Sequence, residues 1–219
     1  TMVGKRGMRT VMNYTDDSMK KIPRKYLFSY KPEVQAKYGR IFSPEKIGEY
    51  SAKISSIIQT IKKSKGIVLI YSQYIDGGVV PMALALEELG LTRYGSSSNT
   101  TPLFETPPTE QIDAITLKPK SQVENFKPAQ YVMITGDKSF SPNNAEDIKT
   151  VTSENNKNGE VVKVILISKA GSEGLDFKGI RQVHILEPWY NLNRIEQIVG
   201  RGVRQKSHCL LPFHERNVE

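Results

Sequence analysis

Apolar residues along the chain fall into two rhythms. Short continuous runs appear at IVLIY (67–71), YVMIT (131–135), VVKVILIS (161–168) and VHIL (183–186). Runs of this length, bounded by polar residues, fit strands buried on both faces of a parallel sheet. Between them the apolar positions recur with a helical period. Ile47, Tyr50, Ile54, Ile57, Ile58 and Ile61 make one stripe. It predicts a helix opening at Ser43-Pro44-Glu45, with Ser43 as N-cap and Pro44 at the first helical position. Lys62, Lys63 and Lys65 suit its C-terminal end. VVPMALALEELG (79–90) predicts a second helix that stops at Gly90. Residues 143–156 read as a polar helix and 192–205 as the last one. Strands alternating with helices predict an α/β domain, a mostly parallel sheet covered on both faces in three αβα layers. Ligands of such sheets bind at the C-terminal ends of the strands.

Two stretches break the rhythm. Residues 1–42 have weak periodicity and scattered tyrosines, and read as an extended basic lead-in packed on its neighbours. Residues 95–130 are rich in Ser, Thr and Pro, as in GSSSNTTPLFETPPTEQ. They read as a polar surface insertion, partly disordered. The α/β domain is therefore expected over 43–209, with 210–219 as the truncated start of a further element.

Composition narrows the class. Hydrophobic residues are 38% and charged residues 25% of 219, as in soluble globular proteins. No apolar run nears the roughly 20 residues that span a bilayer, and TMVGKRGMRT lacks the apolar core of a signal peptide. The lone cysteine, Cys209, fits a reducing compartment, so a cytoplasmic, non-secreted and non-membrane protein is expected. Net charge is +8. Residues 1–65 carry 15 Lys/Arg against 5 Asp/Glu, and the remainder 16 against 18. The basic excess thus lies in the first third. It is either an electrostatic footprint for phosphate backbones or a solvated lysine-rich face. Tyr14, Tyr26, Tyr30 and Tyr38 stand among those lysines, to stack on bases or to fill the segment's own packing.

Candidate chemistry follows the strands. SKAGSEGLDF (168–177) is a glycine-containing polar loop with Ser168, Ser172, Gly174 and Asp176. Such a loop can cradle a phosphate, and it is also ordinary turn chemistry. EPWYNLNRIEQIVGRGVRQKSH (187–208) carries Gln197, Gly200, Arg201 and Arg204. Arg201 and Arg204, three apart, share one helical face. Paired guanidinium forks suit a polyphosphate or a carboxylate network. Gly200 and Gly202 each weaken a helix by about 1 kcal/mol relative to alanine, and would let another backbone approach. Glu187 ends a strand but is followed by Pro188. His208, Cys209 and His214 lack the ligand count and spacing of a zinc site, and no metal site is expected.

Taken together and in this order, GSEGLDF, a strand, and PW-x-N with EQ-x-x-GR-x-x-R resemble motifs V and VI of the second RecA-like domain of superfamily 2 helicases. VLIYSQY (68–74) resembles motif IV, and ITGDKS (134–139) the TG segment between IV and V. The wording is closest to helicases and transcription NTPases of giant and poxvirus-like DNA viruses. The resemblance covers about 67–208 and implies a C-terminal RecA-like motor domain.

By this resemblance Arg201 and Arg204 act as arginine fingers on ATP held by the preceding domain. Gln197 links the nucleotide to the domain interface, which Gly174, Asp176 and Gly200 face. Ser72, Thr135, Gly136, Ser168 and Ser172 lie at nucleic-acid backbone contacts. No G-x-x-x-x-G-K-[ST] phosphate loop occurs, nor a strand ending in an Asp-Glu pair. The chain is therefore expected to carry half of an ATP site. ATP with Mg2+ would be bound mainly by an N-terminal helicase domain absent from this fragment, which alone would be inactive. The partners implied are DNA or RNA and that N-terminal domain. The alternative is a non-catalytic helicase-like binding module in a viral transcription complex. A nucleotide-binding α/β domain of another kind would need a glycine fingerprint at YSQYIDGG (71–78), which is missing.

Overall fold

A computed structural model describes residues 4–15, 27–95, 101–172, 175–187, 192–202, 208–209, 211–212, 214 and 216–218. Five strands form the central sheet. They are β3 (Ile67–Ser72), β4 (Thr92–Arg93), β5 (Gln130–Ile134), β6 (Val164–Ser168) and β7 (Ile180–Ile185). Their order is β4-β5-β6-β3-β7, and every pair is parallel. β3 sits between β6 and β7, with Ile70 opposite Leu166 on one side and His184 on the other. The strand pleat sends alternate residues to opposite faces. Val68, Ile70, Met133 and Leu166 join one core cluster. Ile67, Leu69, Tyr71, Ile134 and Ile167 join the other. Helices α4 (Ala52–Ile61) and α5 (Val80–Leu89) cover the first face. On the second face lie Ile148 and Val151 of α6 (Asn144–Val151) and Ile198 of α7 (Leu192–Gly202). This is the three-layer αβα arrangement expected from the alternation, with its five-stranded sheet wholly parallel. No helix among the described residues is long and apolar enough to cross a membrane.

The helix predicted from Ser43 starts later. Residues 41–46 form turns, α3 (Ile47–Tyr50) is a single turn, and the chain extends at Ser51. Ser51, not Ser43, caps α4: its Oγ accepts the Ile54 N–H at 3.2 Å. The apolar stripe is unbroken across that interruption, which is why periodicity alone joined the two pieces. Gly90 does end α5, at φ +108, with its N–H on the Leu86 and Glu87 carbonyls. The polar helix stops at Val151, and Asn156 closes the following turn, donating to Val151 O and Val162 O and accepting from both Val161 N and Val162 N.

The lead-in is more structured than an extended segment. It holds α1 (Gly4–Val11), an antiparallel pair of β1 (Met12–Thr15) with β2 (Leu27–Tyr30), and α2 (Pro32–Tyr38). Met8, Met12, Phe28, Ile41 and Phe42 are buried in the cluster of the first face. Tyr14 packs on Phe28, and Tyr30 packs on Phe42 and Phe104. Tyr26 lies outside the described residues.

Residues 101–130 are irregular but anchored. Leu103, Phe104, Ile112, Ala114 and Ala129 are buried. Glu87, itself buried on α5, accepts from Leu103 N (2.7 Å), Phe104 N (2.8 Å) and Tyr131 Oη (2.6 Å). Its neighbour Glu88 accepts from Tyr30 Oη at 2.7 Å and pairs with Arg40, fixing the lead-in. The Ser/Thr/Pro composition of 95–130 thus concealed an apolar anchor, while 96–100 lie outside the described residues.

Candidate nucleotide and nucleic-acid face

The loops after β5, β6, β3 and β7 lie side by side along the C-terminal edge of the sheet. Ser72 ends β3 and is buried. Its Oγ lies 2.8 Å from Glu187 Oε1, to which it donates, and accepts the Tyr74 N–H at 3.1 Å. Glu187 Oε2 accepts the Gln73 N–H at 3.0 Å. The Leu186 N–H donates to Tyr71 O at 2.9 Å, and Lys53 of α4 donates to Leu186 O. The ends of β3 and β7 are therefore tied by a carboxylate clasp. Gly78 makes it possible: a Cβ there would stand 1.9 Å from Ser72 Oγ and 2.8 Å from Glu187 Oε1. The sequence marks Glu187 only as a carboxylate at a strand end and does not name its partners, which lie far away along the chain. Leu186, just before Glu187, is buried, and a carboxylate at that place needs donors, which Ser72 and the Gln73 N–H supply.

Thr135, after β5, is also buried. Its N–H donates to Ser141 Oγ at 2.9 Å, and its Oγ1 lies 2.7 Å from the same hydroxyl. Gly136 beside it is exposed. Ser168 is buried and its Oγ accepts the Gly171 N–H at 3.3 Å. A Cβ on Gly171 would stand 2.1 Å from Ile134 O, so the loop after β6 is pressed against the end of β5. Ser72, Thr135, Gly136 and Ser168 are thus brought to one edge. The hydroxyls of Ser72 and Thr135 hold the loops in shape, and of the four only Gly136 is open to solvent. Ser172 ends a 3-10 turn of that loop. Asp176 is exposed, Phe177 behind it is buried, and Gly174 lies outside the described residues.

α7 follows β7, the edge strand beside β3. Ile198 seats it in the second core cluster, and Gln197 is exposed. Among the described residues a Cβ on Gly200 would meet nothing within 4 Å, so packing against them does not require this glycine. Arg201 lies in the last turn of α7, and Arg204 lies outside the described residues. Among the described residues no group of three His, Cys, Asp or Glu side chains could hold a metal ion. His208 instead places Nε2 2.6 Å from Ile180 O.

Residues 52–206 match the helicase conserved C-terminal domain family. The chain belongs to that family. The match begins at the first residue of α4 and spans the whole sheet, so the C-terminal helicase domain has here the RecA-like parallel sheet its motifs implied. It is 34% identical over 187 residues to a termination factor NPH-I homolog of African swine fever virus, covering 77% of this chain and 25% of that protein. It is 32% identical over 174 residues to a protein of Acanthamoeba polyphaga mimivirus with the provisional name of ATP-dependent RNA helicase, covering 80% and 29%. A further mimivirus protein of the same provisional naming is 48% identical over 66 residues. The chain spans about a quarter of the length of these first two relatives. The helicase domain's edge of loops after β3, β5, β6 and β7, with α7 beside it, therefore belongs to a family whose viral members are named for ATP-dependent and termination activities.

Proposed function

We propose that this chain is the C-terminal motor half of an ATP-dependent nucleic-acid helicase or translocase. The observation that carries the reading is the outward face of α7, inside the matched segment. Gln197 is exposed there and Gly200 leaves open space, directly before Arg201 and Arg204. A helix seated by Ile198 and bare at Gly200 is suited to receive a second domain.

On this reading Arg201 and Arg204 approach the γ-phosphate of ATP across that junction. Water attacks the γ-phosphorus, the bond to the β–γ bridging oxygen breaks, and the guanidinium groups offset charge spreading over the phosphoryl oxygens. Gln197, Gly174, Asp176 and Gly200 face the nucleotide and the junction. Mg2+ with ATP is assigned mainly to an N-terminal RecA-like domain. The backbone of the loops shaped by Ser72, Thr135, Gly136, Ser168 and Ser172 meets the phosphates of one strand. Opening and closing of the junction shifts that grip.

The test is Arg204→Ala in the full-length protein. Arginine fingers contribute about 10³-fold or more to turnover, so kcat should fall by that order with nucleotide binding kept. Unchanged ATPase would assign this domain to binding instead of catalysis. The chain alone should show no ATPase above background.

A further inference from the structure

The lead-in lies outside the family match, which starts at residue 52, yet it reaches the same edge of the sheet. α1 reads GKRGMRTV. Gly7 and Met8 are buried, while Arg6 and Arg9 are exposed. α1 packs on the π-helical turn Ile75–Val79 that follows β3, and Met8 shares the core cluster of Val79 and Val80. The same turn touches β6. A basic helix is thereby docked at the C-terminal ends of β3 and β6.

Tyr74 stands directly before that turn. At 56% exposure it is the most exposed large hydrophobic residue among those described. Its surroundings are nevertheless rigid. The Tyr74 N–H donates to Ser72 Oγ at 3.1 Å, its carbonyl lies 2.9 Å from the same hydroxyl, and the Glu187 clasp holds Ser72. An exposed ring on a fixed loop offers a flat apolar face at little entropic cost. Beyond it along the edge, Lys169 and Ala170 are exposed after β6. Ala170 adjoins Gly136, where an added Cβ would stand 2.6 Å from its own, and Lys138 is exposed after it. Exposed cations therefore stand on α1, which packs on the turn after Tyr74, and on the loops after the neighbouring strands β6 and β5. Of the carboxylates near the ring, Glu187 accepts from Ser72 and Gln73 and Asp137 from Ser139 N–H and Oγ, while Asp76 stands within the turn itself. Arg9 lies 5.4 Å over the Tyr14 ring and uses Nε on Tyr14 Oη, which leaves its terminal nitrogens for an anion.

We propose that α1 and Tyr74 form an accessory grip for a single nucleic-acid strand. Arg6 and Arg9 take phosphates on one side, Lys169 and Lys138 on the other, and Tyr74 stacks on one unpaired base. The inference rests on the reading of this chain as the strand-gripping half of a motor. It adds α1, which lies outside the matched segment, to the strand-facing edge. A single strand is required because a base within a duplex presents no free face to the ring.

The experiment measures binding of labelled single-stranded and duplex oligonucleotides to the chain across a salt series. The variants are Arg6→Gln, Arg6→Gln/Arg9→Gln, Tyr74→Ala, Tyr74→Phe and Lys138→Gln/Lys169→Gln. Thermal unfolding verifies that each is folded. The double arginine variant should lower the slope of log affinity against log salt by about 1.4, and Arg6→Gln alone by about half of that. Tyr74→Ala should weaken single-strand binding roughly ten-fold to a hundred-fold with the slope unchanged, and Tyr74→Phe should restore it. Duplex binding should not respond to Tyr74. Should the arginine and Tyr74 variants bind like the parent while the lysine variant weakens, the accessory grip falls and the motor reading stands. Should the parent chain bind no oligonucleotide at low salt, the strand-gripping reading falls and takes the accessory grip with it.

Discussion

Glu87 and Glu88 are adjacent on α5, both buried, and each holds a different outlying segment. Burial raises the Glu87 carboxyl above the ordinary carboxylate range despite its three hydrogen bonds. Side chains this committed are visible in the sequence only as two acids near the end of an apolar helix, where a solvated face is the ordinary reading. Lys163 is a similar case. It is 1% exposed, its Nζ donates to Ser64 O at 3.2 Å, and burial beside Arg181 pushes it down to about 8. The ordinary lysine value is 10.5. Between about 8 and 10.5 the unfolded chain holds the proton more tightly than the folded one, so this group makes stability rise with pH over that window. At pH 7 the charged form is buried at full cost. Lys163→Met should therefore stabilise the chain at pH 7 by about 1–3 kcal/mol, and the gain should shrink by pH 10.5. Urea unfolding at the two pH values measures it, and a loss of stability at pH 7 would refute it.

At the scale of elements, the continuous apolar runs mark β3, β5 and β6 because a strand buried on both faces has no polar position to hide. β4 was not legible: Thr92–Arg93 is a two-residue edge strand, too short for any period. The lead-in helix and hairpin were missed because their apolar contacts, Met8, Met12 and Phe28, are separated by basic residues. Capping was misplaced because Ser43-Pro44-Glu45 satisfies the local rule, whereas Ser51 wins through its bond to Ile54. Ser51→Ala should cost about 1 kcal/mol and Ser51→Asp should retain most of the stability, as read from thermal unfolding. The edge of loops was foreseen, since parallel sheets bind there; the clasp of Glu187 on Ser72 was not, because it joins residues far apart in sequence. Gly200 is the informative glycine of α7. With open space around it, Gly200→Ala should stabilise the chain alone by about 0.5–1 kcal/mol. In the full-length protein the same change should lower ATPase if a second domain closes on that face. An ATPase at parent level would remove the reason for the glycine.

The whole molecule is larger than its family match. The matched segment begins at α4, but the first-face core also takes Met8, Met12, Phe28, Ile41 and Phe42 from outside it. Removing residues 1–31 should therefore lower the unfolding midpoint well beyond the effect of trimming a solvated tail, and should expose apolar surface to a dye probe. A midpoint unchanged within about 2 °C would show that the lead-in is dispensable to the fold.

The placement of β3 has a consequence for synthesis. This fully buried strand lies between β6 and β7, and both are made later than β3. β6 leaves the ribosome on the order of ninety residues after β3, roughly 5–20 s at ordinary elongation rates. For that interval IVLIYS has neither lateral neighbour, and the nascent chain must keep its stickiest segment from other chains until the middle of the sheet can close around it.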